Sequence, residues 1–269
     1  MGDVVRSPVS HRRLLRGGMG ILIFGGLWWI GSILTQPGYL IPSPVATMQA
    51  FVELSTSVST VQSPVFGTVT LPTNVAHLFQ TFHHYVPGLL LGTAAGVVLG
   101  IAMAWHHTLD DWLTPIVRVL RPIPPLAWVV FAIVWFGIGH GGALFIVFVG
   151  GFWINFYGAY GAVEDVSNTT IEAAAVLGVE DDRTMLYSVV LPSALPQLLT
   201  AFRTSIGRCL MIVVGAELFG APGVGSEIMT ASNYFAMDIA LAYMLLISIA
   251  FLTMDVGFRI VERLVLTWR

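Results

Sequence analysis

No lysine occurs among the 269 residues of this chain, and its single cysteine, Cys209, has no partner. A P-loop needs a lysine for the nucleotide phosphates, so the chain cannot carry that ATP site, and a lysine Schiff base is equally excluded. A lone cysteine rules out an intrachain disulfide and a thiolate metal cluster. Charge is scarce as well: charged residues make up 10% of the chain and hydrophobic ones 56%. That balance is too apolar for a water-soluble domain of ordinary composition, which makes the chain an integral membrane protein. The net charge of −3 says little about partners when the bilayer segregates the charges.

Apolar runs long enough to cross ~30 Å of hydrocarbon at ~1.5 Å per residue can be placed at 17–34, 85–105, 122–138, 142–163, 204–219 and 239–257. The third and fifth are short or interrupted. All basic residues are arginines. Arg6, Arg12, Arg13 and Arg16 precede the first span, and Arg118 and Arg121 lie between the second and third. Arg183, Arg203 and Arg208 belong to the central loop or its exit, and Arg259, Arg263 and Arg269 close the chain. In a six-span topology all of them fall on one side, and none falls in the alternate loops at 35–84, 139–141 and 220–238. The positive-inside rule makes that side the cytoplasm, with both termini, the segment 1–16 and a central loop over 164–203 facing it, and 35–84 as an external loop. The motif from Ser10 to Arg16 superficially suggests a twin-arginine signal. An inside anchor is the better reading, because no small-residue cleavage site follows and five further spans do.

Thr169 to Pro192 is the one long polar interruption in the C-terminal half. Thr169 and Glu172 have capping-box spacing, which predicts a short helix starting there. Ala173, Ala174 and Ala175 favour it, and Gly178 can take the left-handed conformation that ends it. Asp181 or Asp182 can cap a second helix that Pro192 stops. The spacing predicts a helical hairpin with one apolar side, compatible either with an ordinary loop or with a docking element.

Other stretches carry less. A helix is predicted from Val45 to about Leu54, whereas Ser55 to Thr73 has no helical period and reads as loop. Gly88, Gly92, Gly96 and Gly100 recur at every fourth position, favouring close helix packing over a ligand groove. Pro122, Pro124 and Pro125 prevent a continuous helix at the start of the third span; a broken pathway entry and a simple proline turn both fit. Glu217, towards the outer end of the fifth span, is either a functional carboxylate or a hydrogen-bond partner of a neighbouring helix. Arg208, at the other end of that span, can snorkel to headgroups or face a cavity. Asp255 and Arg259 have the spacing of a helical ion pair. His83-His84 and His106-His107 bracket the second span ~33 Å apart and cannot share an ion. His77, His83, His84 and His140 can meet outside, but interfacial histidines are the simpler reading, and no metal is assigned. The loop from Gly220 to Ser226 lacks the preceding strand and the lysine of a nucleotide motif.

Glu172-Ala173-Ala174, then Gly178, then Leu191-Pro192 resemble the E-A-A…G…L-P signature of the permease subunits of binding-protein-dependent ABC importers. The stretch from Gly178 to Leu191 is one residue longer than usual, an excess we place in the acidic turn Glu180-Asp181-Asp182. Ile41-Pro42-Ser43-Pro44 and the run from Arg121 to Gly139 are similar to the nitrate, sulfonate and taurine branch of that family, and the loop through Glu227-Ile228-Met229 resembles its re-entrant gate helix. The resemblance implies an all-α membrane protein, a single permease domain over residues 1–269 of about six transmembrane helices, without cofactor or enzymatic activity of its own. It further implies two cytoplasmic ATPase subunits docked on Glu172, Ala173, Ala174, Gly178, Leu191 and Pro192, a second permease copy, an extracytoplasmic binding protein and no nucleic acid. Glu217, Pro124, Pro125 and Arg208 are the candidates for pathway or gate. The rival readings are an ion-coupled secondary transporter using Glu217, which predicts inverted repeats and paired broken helices, and a membrane enzyme, for which the histidine pairs do not converge.

Overall fold

The computed structural model describes residues 11–265, apart from 36, 38, 39 and 64–66. Arg6, Ser10 and Arg269 of the expectations above lie outside the described residues. Helix α1 spans His11–Leu34, α2 Pro44–Thr56, α3 Thr73–Trp105, α4 His107–Leu120, α5 Val129–Phe136, α6 His140–Glu164, α7 Asn168–Val176, α8 Asp182–Met185, α9 Leu191–Glu217, α10 Val224–Asn233 and α11 Met237–Val265. Among the described residues five helices are long and apolar enough to cross a membrane, or six if the bent pair of α4 with Pro125–Phe136 counts as one span.

The core is the packing of α3, α6 and α9. The expectation that the glycine row serves helix packing is met. A Cβ at Gly88 would lie 2.7 Å from the Leu144 carbonyl and one at Gly100 2.5 Å from that of Phe156, while Gly92 and Gly96 face the carbonyls of Phe148 and Phe152 more closely still. Small residues at one helical face let two backbones touch, and dispersion contacts then replace lipid. Tyr85, fully buried, donates its hydroxyl to the Ile206 carbonyl at 2.8 Å and ties α3 to α9. Helix α1 is largely exposed along its length; Trp28 Nε1 donates to the Pro42 carbonyl at 3.0 Å.

Three expectations are corrected here. The stretch after α2 is not plain loop. Val58–Ser63 (β1) and Gly67–Pro72 (β2) pair antiparallel with Val58 opposite Pro72, and α3 begins at Thr73, so 35–84 holds a helix, a hairpin and the first turns of a span. The alternating Val and Thr of these strands fit a pleated ribbon, a period of two that a search for helical period passes over. The third span is not a helix over 122–138: a 3-10 turn at Pro125–Trp128 leads into the eight residues of α5, and α4 meets this unit at a bend of 85°. The fifth span starts far earlier than 204. From Asp182 to Glu217 the chain is one helical path of 36 residues, so Pro192 does not stop the second helix and no loop extends to 203. A π-turn over Leu186–Val190, closed by the Leu191 N–H on the Leu186 carbonyl, widens the helix just before Pro192. The wider turn relieves the clash a proline ring makes with the carbonyl four residues back. It also takes one residue more than an α turn.

Candidate functional site

The central hairpin is built from two caps. Ser167, not Thr169, caps α7: its Oγ accepts from the Thr170 N–H at 3.3 Å and shares a hydrogen bond with the Thr170 hydroxyl at 2.8 Å. Glu172 therefore sits within the helix, exposed, and caps nothing. The other end follows expectation. Gly178 has φ +94°, its N–H bonds the Ala175 carbonyl at 3.0 Å, and the Val179 N–H reaches back to the Ala174 carbonyl at 3.1 Å. That pair of bonds is a Schellman motif, which needs the left-handed residue that glycine supplies without strain. Asp181 caps α8, accepting from the Thr184 N–H at 2.9 Å.

The faces of the hairpin differ from the expected ones. Ala174 is not available to a partner: it is buried with Val163, Met185 and Val190 under the ends of α3 and α6. Ala173 and Pro192 are exposed, and Leu191 is half-buried. The residues that stand out are Val176 and Leu177, which are 87% and 85% exposed. An apolar pair at the tip of a polar hairpin was missed by the signature. The signal was present, because Val176 and Leu177 lie off the face that carries Ile171 and Ala174.

At the opposite end of the bundle, α3, α6, α9 and α10 meet around Glu217, which is fully buried. Its Oε1 lies 2.8 Å from His84 Nε2, and its Oε2 accepts from the Gly225 N–H at 2.6 Å. His84 Nδ1 is 3.0 Å from His140 Nδ1. A carboxylate only accepts, so Nε2 of His84 donates to it, and its Nδ1 accepts from His140; both ring nitrogens of the buried His84 are then satisfied. Thr81 Oγ1 accepts from the Val224 N–H at 3.0 Å. Gly223, φ +156°, has the carboxylate where a Cβ would stand. The histidines are thus not merely interfacial: His84 is the partner of Glu217 and His140 that of His84, and Glu217 in turn holds the amino end of α10, where partial positive charge favours an acid. His77 adds a 3.6 Å contact to Glu227 of α10.

The broken entry lies on the other face of the bundle. Pro124 and the 3-10 turn seat Pro125 against Gly150 of α6 and Leu126 against Gly215 of α9. Arg121, at the bend, stacks its guanidinium 4.4 Å from the Tyr157 ring centroid. Arg203 and Arg208 are not in a loop. Arg203 donates through Nε and Nη2 to Asp255 Oδ1, both at 2.9 Å, and Arg259 takes Oδ2 at 2.7 Å. The expected Asp255–Arg259 pair is present and Arg203 completes it. Arg208 is exposed on α9, and among the described residues it has no hydrogen-bond or ion-pair partner. The sequence-predicted candidates thus fall into separate places: the hairpin at one end, Glu217 at the other, and Pro124, Pro125 and Arg208 along one face between them.

A largely helical bundle with five or six candidate spans, a broken entry and an exposed helical hairpin defines a multi-pass membrane protein. Residues 92–267 match the family described as binding-protein-dependent transport system inner membrane component, and the chain belongs to that family. It is 37% identical over 186 residues to a putative ABC transporter permease of Methanocaldococcus jannaschii, covering 68% of this chain and 69% of that one. It is also similar to the taurine transport system permease protein TauC of Escherichia coli, 26% identical over 264 residues, with 98% of this chain and 92% of the relative covered. The fold resembles the inward-facing MetNI methionine ABC transporter, with a TM-score of 0.60 at 23% identity over 70% of this chain and 94% of that one. The chain is a multi-pass inner-membrane subunit of an ABC importer. It works with an ATPase on a separate subunit and a substrate-binding protein, and the rival readings as secondary transporter or membrane enzyme fall away.

Proposed function

We propose that two copies of this chain enclose the pathway of an importer for a small anion, such as taurine, another sulfonate or nitrate, and that two ATPase subunits dock on the Ser167–Pro192 hairpin from the cytoplasm. The observation that carries the docking is the exposed Val176–Leu177 tip, held rigid by the Ser167 cap and the Schellman motif at Gly178. A rigid apolar tip needs little ordering on binding, so its burial is not offset by entropy. Burial of Ala174, Met185 and Val190 under α3 and α6 supports transmission: movement of the tip pulls on the ends of the spanning helices. The similarity to TauC supports the anion class. Glu217, fully used by His84 and Gly225, is an anchor of α10 in this reading and not a coupling group.

Two outcomes are expected. Leu177→Asp, at normal membrane abundance, loses co-purification of the ATPase subunit and all import; undiminished import would make the hairpin an ordinary loop. Gly178→Val is worse than Gly178→Ala although no atom lies within 4 Å of the new Cβ. The left-handed conformation alone costs a side chain roughly 1–2 kcal/mol, most when it branches at Cβ. The orientation has its own measurement. In a Cys209→Ser background, a cysteine at Ser57 reacts with impermeant thiol reagents from outside and one at Asp181 from inside only. Labelling of both from the same side refutes cytoplasmic placement of the hairpin.

A further inference from the structure

Arg208 stands about halfway along the helical bundle. It precedes Glu217, buried at one end of the bundle, by nine residues of unbroken helix, or ~14 Å at ~1.5 Å per residue. On the other side it follows Gln197, whose Nε2 donates to Asp165 just beyond the end of α6, by eleven residues or ~16 Å. A charge at that depth is costly unless it meets protein, water or a ligand. Arg203, one turn nearer the hairpin, is paired with Asp255. Arg208 has no partner among the described residues and is exposed.

Towards the hairpin the α9 face that carries Arg208 is polar. Gln197, Thr200, Thr204 and Arg208 recur at intervals of three and four and are all exposed, so they form one stripe on α9 from the hairpin end to half depth. A lipid-facing stripe on a spanning helix is apolar; this one is not. Beyond Arg208 the same face carries Met211 and then Gly215, which Leu126 of the broken entry covers. The stripe is closed towards the Glu217 end and open towards the hairpin end. Thr200 and Thr204 donate their hydroxyl hydrogens to carbonyls four residues back, at 2.9 Å each, so their free lone pairs suit water and leave Arg208 as the one charged donor.

We propose that Arg208 is the anion station of the translocation pathway: it takes the oxygens of a sulfonate, nitrate or carboxylate head group in its planar fork at half depth and releases them along Thr204, Thr200 and Gln197. Delocalised oxygen pairs match a guanidinium two at a time. Arg203, the neighbouring cation on α9, is taken up by Asp255, which leaves the station one charge per copy, few enough for the solute to leave. The assignment rests on the anion-importer reading above and adds the residue that selects charge within the membrane.

The test uses a sulfonate as probe. In the assembled complex, with Cys209→Ser and Thr204→Cys, the modification rates by sulfonatoethyl and trimethylammonioethyl methanethiosulfonate are compared with both membrane faces accessible. The sulfonate reagent is expected to react faster, relative to its rate with a small free thiol, by ~tenfold or more. Arg208→Gln removes that preference and Arg208→Lys keeps most of it. A preference unchanged in Arg208→Gln overturns the proposal. So does failure of both reagents to react, the result expected if the stripe lies against lipid and Arg208 reaches a headgroup phosphate. Import of taurine and nitrate into liposomes is measured in parallel. No import with the charge preference intact would count against those solutes, whereas import unimpaired by Arg208→Gln would count against the station.

Discussion

Replacing Gly96 by isoleucine abolishes the folded bundle. A Cβ at Gly96 falls on the Phe152 carbonyl and 2.9 Å from the Phe156 N–H, both backbone atoms that no rotamer change can move. Helices α3 and α6 would have to separate along the row that Gly88, Gly92 and Gly100 also serve, losing close contact over four turns. Overpacking a single core position typically costs about 1–3 kcal/mol, and this case is worse because the obstruction is backbone against backbone. The measurement is the monodisperse fraction after detergent extraction: near zero for Gly96→Ile, reduced for Gly96→Ala. The control is Gly25→Ile in α1, where nothing lies within 4 Å of the new atom. A normal elution profile for Gly96→Ile would show that the interface tolerates separation and that the glycine row is incidental.

Removing the Glu217 carboxylate loosens α10. Glu217→Ala strands the His84 Nε2–H and the Gly225 N–H, both inside the protein. An unsatisfied buried donor costs roughly 1–3 kcal/mol, so the loss is a large part of the margin that holds a ten-residue helix in place. Glu217→Gln, which keeps one acceptor oxygen, falls between the two. Amide exchange over 224–233 is the direct readout, with protection lost in Glu217→Ala and partly retained in Glu217→Gln. Full protection in Glu217→Ala, accompanied by loss of transport, would instead mark the group as one that acts on the solute.

Much of this was legible before any coordinates. The row of glycines and the Gly178 elbow depend on local spacing, and both reappear in the fold. Boundaries were less legible. Thr169 offered a capping box, yet Ser167 took the cap, because both residues precede the same alanine run and local propensity does not choose between them. Pro192 signalled a stop, and the chain absorbed it with a π-turn, which the buried Met185 before it and Val190 at its end hold in place.

The depth of Arg208, the burial of Ala174 and the union of His84, His140 and Glu217 were decided by tertiary structure alone. Each depends on which residues far apart in the chain come to share a level or a face. His84 and Glu217 are separated by 133 positions and joined by 2.8 Å. No period or motif within one segment encodes such a distance. What the sequence by itself determined is the class: a lysine-free membrane chain with a capped hairpin. Which face of that hairpin is free, and that Arg208 on α9 has no partner among the described residues, followed only when close packing at the glycines set the register between α3, α6 and α9.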